Sequence, residues 1–218
     1  MIRATPEFPV YTTAGTLVDA AVHAAGLTGA GIVLCDLLAH MGPEASRTRM
    51  VASAVYGFGL LGMLAPSALY NLTPARAGRL KLAFRHLDHA LILVMIAGSY
   101  TAISLSALPP GLGVPLCVTV WVLAAIGIGL RLAWERIYRR ISLGLHLGMG
   151  WLVVLVLPPL VMTVSGGVFA CLLLGGIVYS LGSLVHTLVR VPFHNAAWHT
   201  MVVVAAALHL VVVVRLNS

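Results

Sequence analysis

Asp19 and His23, Ser67 and Asn71, and Asn195 and His199 form three pairs of polar residues spaced four apart, each inside or at the end of an apolar stretch. Residues at that spacing share one face of an α-helix, so both members of each pair can point at the same target. Carboxylate and imidazole are ligands for a divalent cation and groups that accept and release protons; hydroxyl and amide side chains hydrogen-bond a polar ligand. Asp88, set between His86 and His89, adds a second carboxylate near the start of another apolar stretch. Each feature also has a structural explanation. Asp19 at a helix start complements the macrodipole, Ser67 and Asn71 suit interhelical hydrogen bonding, and Asp88 balances Arg85. Those explanations weaken if all four sites converge.

The elements that must position these residues are membrane spans. Hydrophobic residues make up 60% of the 218, charged residues 9%, and the mean hydropathy is +1.02, values outside the range of soluble domains with charged surfaces. Apolar stretches of roughly 20 residues recur from Leu17 onward, each long enough to cross a ~30 Å hydrocarbon core at ~1.5 Å per residue. The first has only Arg3 before it and exceeds a signal peptide's apolar region, so it reads as a span and not a leader. Cys35, Cys117 and Cys171 lie far apart in sequence, which indicates neither a disulfide framework nor a thiolate metal site.

Seven helices are expected, at about 17–39, 50–71, 87–107, 113–132, 141–163, 167–188 and 196–215, forming one all-α domain over residues 1–218. Pro158 and Pro159 should kink the fifth, and splitting or merging there gives the alternative counts of eight or six. With seven spans, Arg3, Arg76, Arg79, Lys81, Arg85, Arg131, Arg136, Arg139, Arg140 and Arg190 share one side, ten of the 13 basic residues. Arg47, Arg49 and Arg215 fall opposite. The excess predicts a cytoplasmic N-terminus and an external C-terminus, and it explains the net charge of +7 without invoking nucleic acid. Trp134, Tyr138 and Trp198 fit an aromatic belt on the inner side.

That topology brings Asp19, His23, Ser67, Asn71, Asp88, Asn195 and His199 to the cytoplasmic ends of their helices. Ionisable groups in a membrane protein face protein or water, so an inward-facing polar chamber at the inner leaflet is expected. His40 and Arg47 read as solvated residues of the outer side. His209 lies about 15 Å beyond His199 along a helix, too far to share a small site. His146, and the series Tyr179, Ser183, His186, approach the chamber from other walls.

At these residues the chain resembles the hemolysin III family, the bacterial branch of the progestin and adipoQ receptor superfamily. The resemblance rests on DAAVHAAG at 19–26, SALYN at 67–71, HLDHALILVMIAGSYT at 86–101, GMGW at 148–151, GGIVYSLG at 175–182 and HNAAWH at 194–199, in that order, with a further His at 209. It implies a seven-helix fold with the N-terminus inside, in a bacterial inner membrane. It also implies an intramembrane zinc site built from Ser-x-x-x-His, an Asp opening the third helix and His-x-x-x-His, associated with hydrolysis of lipid amides such as ceramides. Ser67, Asp88 and His199 match that pattern. Asn71 and Asn195 stand where two zinc histidines would be, and a neutral amide oxygen is a poor substitute for imidazole. Zinc would then require recruitment of His23, Asp19 or His194 beside His199 and Asp88.

Three functions follow as expectations. The first is a protein with a degenerate zinc site that acts on or senses membrane lipids, binding a lipid or small-molecule ligand in the chamber. The second is a zinc-dependent lipid amide hydrolase with Asp88 as base or orienting carboxylate and Ser67 in support. The third is a pore-forming or proton- or ion-conducting protein using Asp19, His23, Asp88 and His199 as a titratable network.

Overall fold

A computed structural model describes residues 8–9, 11–41, 46–188 and 193–217. Arg3 and Arg190, counted in the charge asymmetry, lie outside the described residues. The described chain is helical: α1 (Thr13–His40), α2 (Arg47–Leu72), α3 (Arg79–Ala107), α4 (Pro110–Ala133), α5 (Glu135–Trp151), α6 (Leu157–Thr163), α7 (Gly166–Leu188) and α8 (His194–Asn217). A 3₁₀ segment, Leu152–Val156, joins α5 to α6, so the two make one span, and the described residues hold seven helices long and apolar enough to cross a membrane. Helices are the expected answer, since hydrocarbon offers no partner to a free N–H or C=O.

The break in the fifth span has a clear cause. Pro158 and Pro159 lack N–H donors, and their rings collide with the carbonyls of Val154 and Leu155, four residues earlier. Tyr100 of α3 braces the chain just before the break. Its hydroxyl donates to the Gly150 carbonyl at 3.0 Å and accepts from the Val153 N–H at 2.7 Å.

Several helices extend further than their apolar runs. α3 begins at Arg79, not near residue 87, so Asp88 sits nine residues inside it, about 13 Å along the axis, and not in its first turn. Arg79, Lys81 and Arg85 are therefore helical. Trp134 alone separates α4 from α5, so Arg131, Arg136, Arg139 and Arg140 also lie on helices. Lys81 is buried; its ammonium donates to the carbonyls of Tyr70 and Thr73 at 2.9 and 2.6 Å, capping α2 where its last C=O groups lack partners.

Lipid tails are as apolar as leucine, so close approach and hydrogen bonds hold such helices together. α3 is the axis of the bundle and contributes to both apolar clusters. Leu93 and Ala97 pack with Val120, Ala124, Met149 and Leu160, while Met95 and Ala102 pack with Tyr56, Leu60, Leu64 and Leu210. At Gly98 a Cβ would stand 3.1 Å from the Val55 carbonyl, which shows how tightly α2 and α3 approach. At Gly26 a Cβ would stand 2.9 Å from Val203, so α1 presses against α8 one turn from His23 and His199.

Candidate functional site

The structure brings together the residues the sequence singled out. Thr12 caps α1 by accepting the Gly15 N–H at 3.1 Å. That start places Asp19 and His23 on the face turned toward α8, both buried. In α2, Pro66 interrupts the helical hydrogen bonds next to Ser67, whose carbonyl accepts from the Asn71 amide at 2.9 Å. α8 begins at His194, putting Asn195 and His199 on one inward face while His194 packs its ring edge-on to Tyr11.

His199 sits at the centre. Its Nδ1 lies 2.5 Å from Asp19 Oδ1 and its Nε2 lies 3.3 Å from Ser67 Oγ. With Nδ1 carrying the proton that the carboxylate accepts, Nε2 is left to accept from the serine hydroxyl. His23 packs edge-on against His199, ring centroids 4.5 Å apart, and its Nδ1 lies 2.9 Å from the Asp19 carbonyl. The neighbouring amides form a second chain: Tyr11 donates to Asn195 at 3.2 Å, and Asn195 donates to Asn71 at 3.1 Å. Asp88 faces the same cavity, 3.6 Å from His89 Nδ1.

The chain belongs to the haemolysin-III-related family. The model of that family matches residues 15–210. The chain is 31% identical over 199 residues to the hemolysin-3 homolog of Bacillus subtilis (strain 168), covering 91% of this chain and 92% of that protein. It is 31% identical over 193 residues to hemolysin-3 of Bacillus cereus, covering 88% and 87%. A human relative, monocyte to macrophage differentiation factor, is 28% identical over 164 residues, 73% of this chain and 67% of that protein. The protein is thus a multi-pass membrane protein of this family.

The zinc ligands implied by the family resemblance are only partly present: Asn71 and Asn195 stand at two of those positions, with Asn195 donating to Asn71 and Asn71 to the Ser67 carbonyl. A different donor set stands beside them. Asp19, His23 and His199 offer ligand atoms that all lie within 4.8 Å of one another. Asp19 Oδ2 and His23 Nε2 are buried without a hydrogen-bond partner, and two such atoms side by side are costly unless something binds them. Three protein donors plus one open position is the arrangement of catalytic divalent sites, so these residues fit a divalent cation. Asp19, and not Asp88, completes that cluster.

The polar group closes one end of a cavity of about 840 Å³, bordered by α2, α3, the fifth span, α7 and α8. Along α3 its lining runs from Arg85 to Ser104, about 28 Å of helix rise and close to the ~30 Å hydrocarbon thickness. Beyond the polar end the walls are mainly Leu, Ile, Val and Met. Tyr179 and His209 form a separate polar station there, ring centroids 5.5 Å apart, with His209 Nε2 3.2 Å from the Leu172 carbonyl. A Cβ at Gly175 would stand 2.4 Å from the His209 ring, so that glycine makes the notch the imidazole fills.

Sequence reasoning missed Tyr11, which lies outside any apolar run, and it placed Lys81 in a loop. It also missed the hydrogen bonds joining Asp19, His199 and Ser67, since spacing within one helix carries no information about pairing between helices 1, 2 and 8.

Proposed function

We propose that this protein is an intramembrane hydrolase of acyl lipids, with Ser67 as nucleophile, His199 as general base and Asp19 as the carboxylate that orients and charges against the imidazole. One observation carries the reading: His199 bridges a buried carboxylate and a buried serine hydroxyl through its two ring nitrogens, at 2.5 and 3.3 Å. That relation, and not order in the sequence, defines a Ser-His-Asp triad. The cavity holds the acyl chain in its apolar length, with the scissile amide or ester at the polar end.

Ser67 Oγ attacks the acyl carbonyl and its proton passes to His199 Nε2. The imidazolium is stabilised by Asp19 and returns the proton to the departing amine or alcohol. Water, deprotonated by the same imidazole, then cleaves the Ser67 ester and releases the fatty acid. Asn71 and Asn195 each retain a second amide N–H beyond the one already donated, and these serve as donors to the oxyanion. Asp88 lies close enough to Ser67 and His199 to interact with both, and helps to orient the serine hydroxyl.

The orphaned Asp19 Oδ2 and His23 Nε2 favour a second reading, in which Asp19, His23 and His199 hold a divalent cation such as zinc. Such an ion would supply Lewis-acid polarisation of the acyl carbonyl.

The bundle is assigned to a bacterial inner membrane with the polar end at the cytoplasmic leaflet. This is supported by Arg76, Arg79, Lys81, Arg85, Arg131, Arg136, Arg139 and Arg140 at that end, against Arg47, Arg49 and Arg215 at the other.

The test is fatty-acid release from N-acyl and O-acyl lipids by purified full-length protein, with metal content measured on the same sample. Ser67→Ala and Asp19→Asn should each lower turnover by about 10³-fold or more, and a fluorophosphonate probe should label wild type and not Ser67→Ala. Full turnover by Ser67→Ala, or turnover abolished by a chelator and restored by zinc, would replace the serine mechanism with the metal centre. No release from any acyl lipid would end the hydrolase reading.

A further inference from the structure

The cavity mouth carries a second group of side chains that neither mechanism uses. Arg85 of α3 and Arg139 of α5 both line it. Each begins a strip that continues down the cavity wall: Arg85 with Asp88, His89 and Ile92 on α3, and Arg139 with Ser142, Leu143 and His146 on α5. The spacing of three, four and seven keeps each strip on one helical face. Two guanidinium groups therefore stand at the head of two converging walls that become apolar below them.

Behind this pair lies Arg131. Its side chain is 1% exposed, and it is close enough to Arg85 and Arg139 for mutual repulsion. The only acid paired with these arginines among the described residues is Glu135. One of its oxygens is shared between Arg85 at 3.1 Å and Arg131 at 3.3 Å. Nε and Nη2 of Arg131 are buried with no hydrogen-bond partner. Asp88, a turn deeper, lies 3.6 Å from His89 Nδ1 and close enough to Arg131 to offset part of its charge. Three guanidinium groups against the shared Glu135 carboxylate and the more distant Asp88 leave an excess of positive charge in a place where charge is expensive. Arginine's planar fork is suited to phosphate oxygens.

We infer that Arg85 and Arg139, backed by Arg131, form a subsite for the phosphate of an anionic amphiphile whose hydrocarbon chain occupies the cavity. The inference rests on the lipid-chamber reading above and names its substrate class, a phosphate-bearing acyl lipid. It does not depend on which groups cleave the acyl bond.

The experiment is a binding measurement on wild-type protein in uncharged detergent, with three probes that the hydrolase cannot consume. They are an ether-linked alkylglycerol phosphate, the same alkylglycerol without phosphate, and glycerol phosphate without the chain. The first should bind at least about tenfold more tightly than either of the others, the loss expected for one charge-assisted hydrogen bond. Arg139→Gln should bring the first two probes to similar affinity, while Arg139→Lys keeps part of the difference. Arg139 is exposed and outside the Glu135 pairs, so its variants should fold even if Arg85→Gln, which strips a partner from Glu135, does not. Arg136→Gln with Arg140→Gln should leave the preference intact and so exclude general attraction to a basic surface.

Equal binding of alkylglycerol and its phosphate would overturn the subsite, as would a preference that survives Arg139→Gln. Glycerol phosphate binding as tightly as the chain-bearing probe would mean a free-phosphate site and would also overturn it. Phosphate preference without fatty-acid release would leave the subsite standing and end the hydrolase reading. Release from acyl lipids with no phosphate preference would do the reverse.

Discussion

The two sides of this bundle are built differently. Where α1, α2, α3 and α8 meet, backbones approach within the reach of a single Cβ, and hydrogen bonds run between helices distant in sequence. Tyr56 donates to the Ala206 carbonyl at 3.3 Å, and Asn195 donates to Asn71 at 3.1 Å. Facing them, α7 packs closely on α8, where a Cβ at Gly175 would stand 3.3 Å from the Ala205 carbonyl, and meets the fifth span more loosely across the cavity. Over the most apolar stretch of each helix 56% of α3 is buried, against 11% of α7. A hydrogen bond from Trp151 Nε1 to Ser180 Oγ at 3.0 Å ties α7 to the fifth span. The fifth span is itself broken at a 3₁₀ segment. The difference suits the two tasks of the proposed hydrolase: its reacting groups would have to be held to a fraction of an ångström, whereas an acyl chain would have to pass between helices that can part.

Three variants break or sharpen that contrast. The largest effect is expected from Gly26→Ala. Its new methyl would meet Val203, a stiff β-branched side chain in a helix, and would push α1 away from α8. A displacement of that kind moves Asp19 relative to His199, so turnover should fall by about 100-fold and the melting temperature should drop. A Gly26→Ala protein with unchanged melting temperature and turnover would mean the α1–α8 side is not rigid.

Tyr100→Phe comes next. It leaves the Val153 N–H and the Gly150 carbonyl unpartnered at the break in the fifth span, which should cost about 2 kcal/mol of stability. Faster amide exchange should be confined to residues 147–160. Exchange that instead rose equally in α1 and α8 would deny the fifth span its independence.

The smallest change is expected from Trp151→Phe, which removes one half-exposed hydrogen bond worth about 0.5–1.5 kcal/mol. The melting temperature should barely move while a fluorescent lipid exchanges with the cavity faster than in wild type. An unaltered exchange rate would locate the lipid's route elsewhere.

Much of this is legible in the amino-acid sequence. Seven spans and the kink at Pro158–Pro159 follow from the length of apolar runs and from proline's missing donor. Asp19, His23, Ser67, Asn71, Asn195 and His199 stood out because polar residues four apart are conspicuous in apolar helices. The extents of α3 and α5 were not legible. Arg79, Lys81, Arg85 and Arg136 are polar enough to read as loop, yet long basic side chains continue a helix at low cost and reach protein acceptors from it, as Lys81 does.

The sequence by itself determined the membrane class, the number of spans, the family and the set of residues able to do chemistry, because hydropathy, spacing and motif order are properties of the linear chain. Only the tertiary structure decided which of those residues become partners. Asp19 and His199 are 180 positions apart, and Ser67 and His199 are 132 apart. Their meeting depends on how closely α1, α2 and α8 settle around α3, which is set by small residues and side-chain shape at the contacts. Asn71 and Asn195, where the family resemblance implies zinc histidines, read in one dimension as the loss of a site. In three dimensions the carboxylate and imidazole of α1 lie within reach of His199.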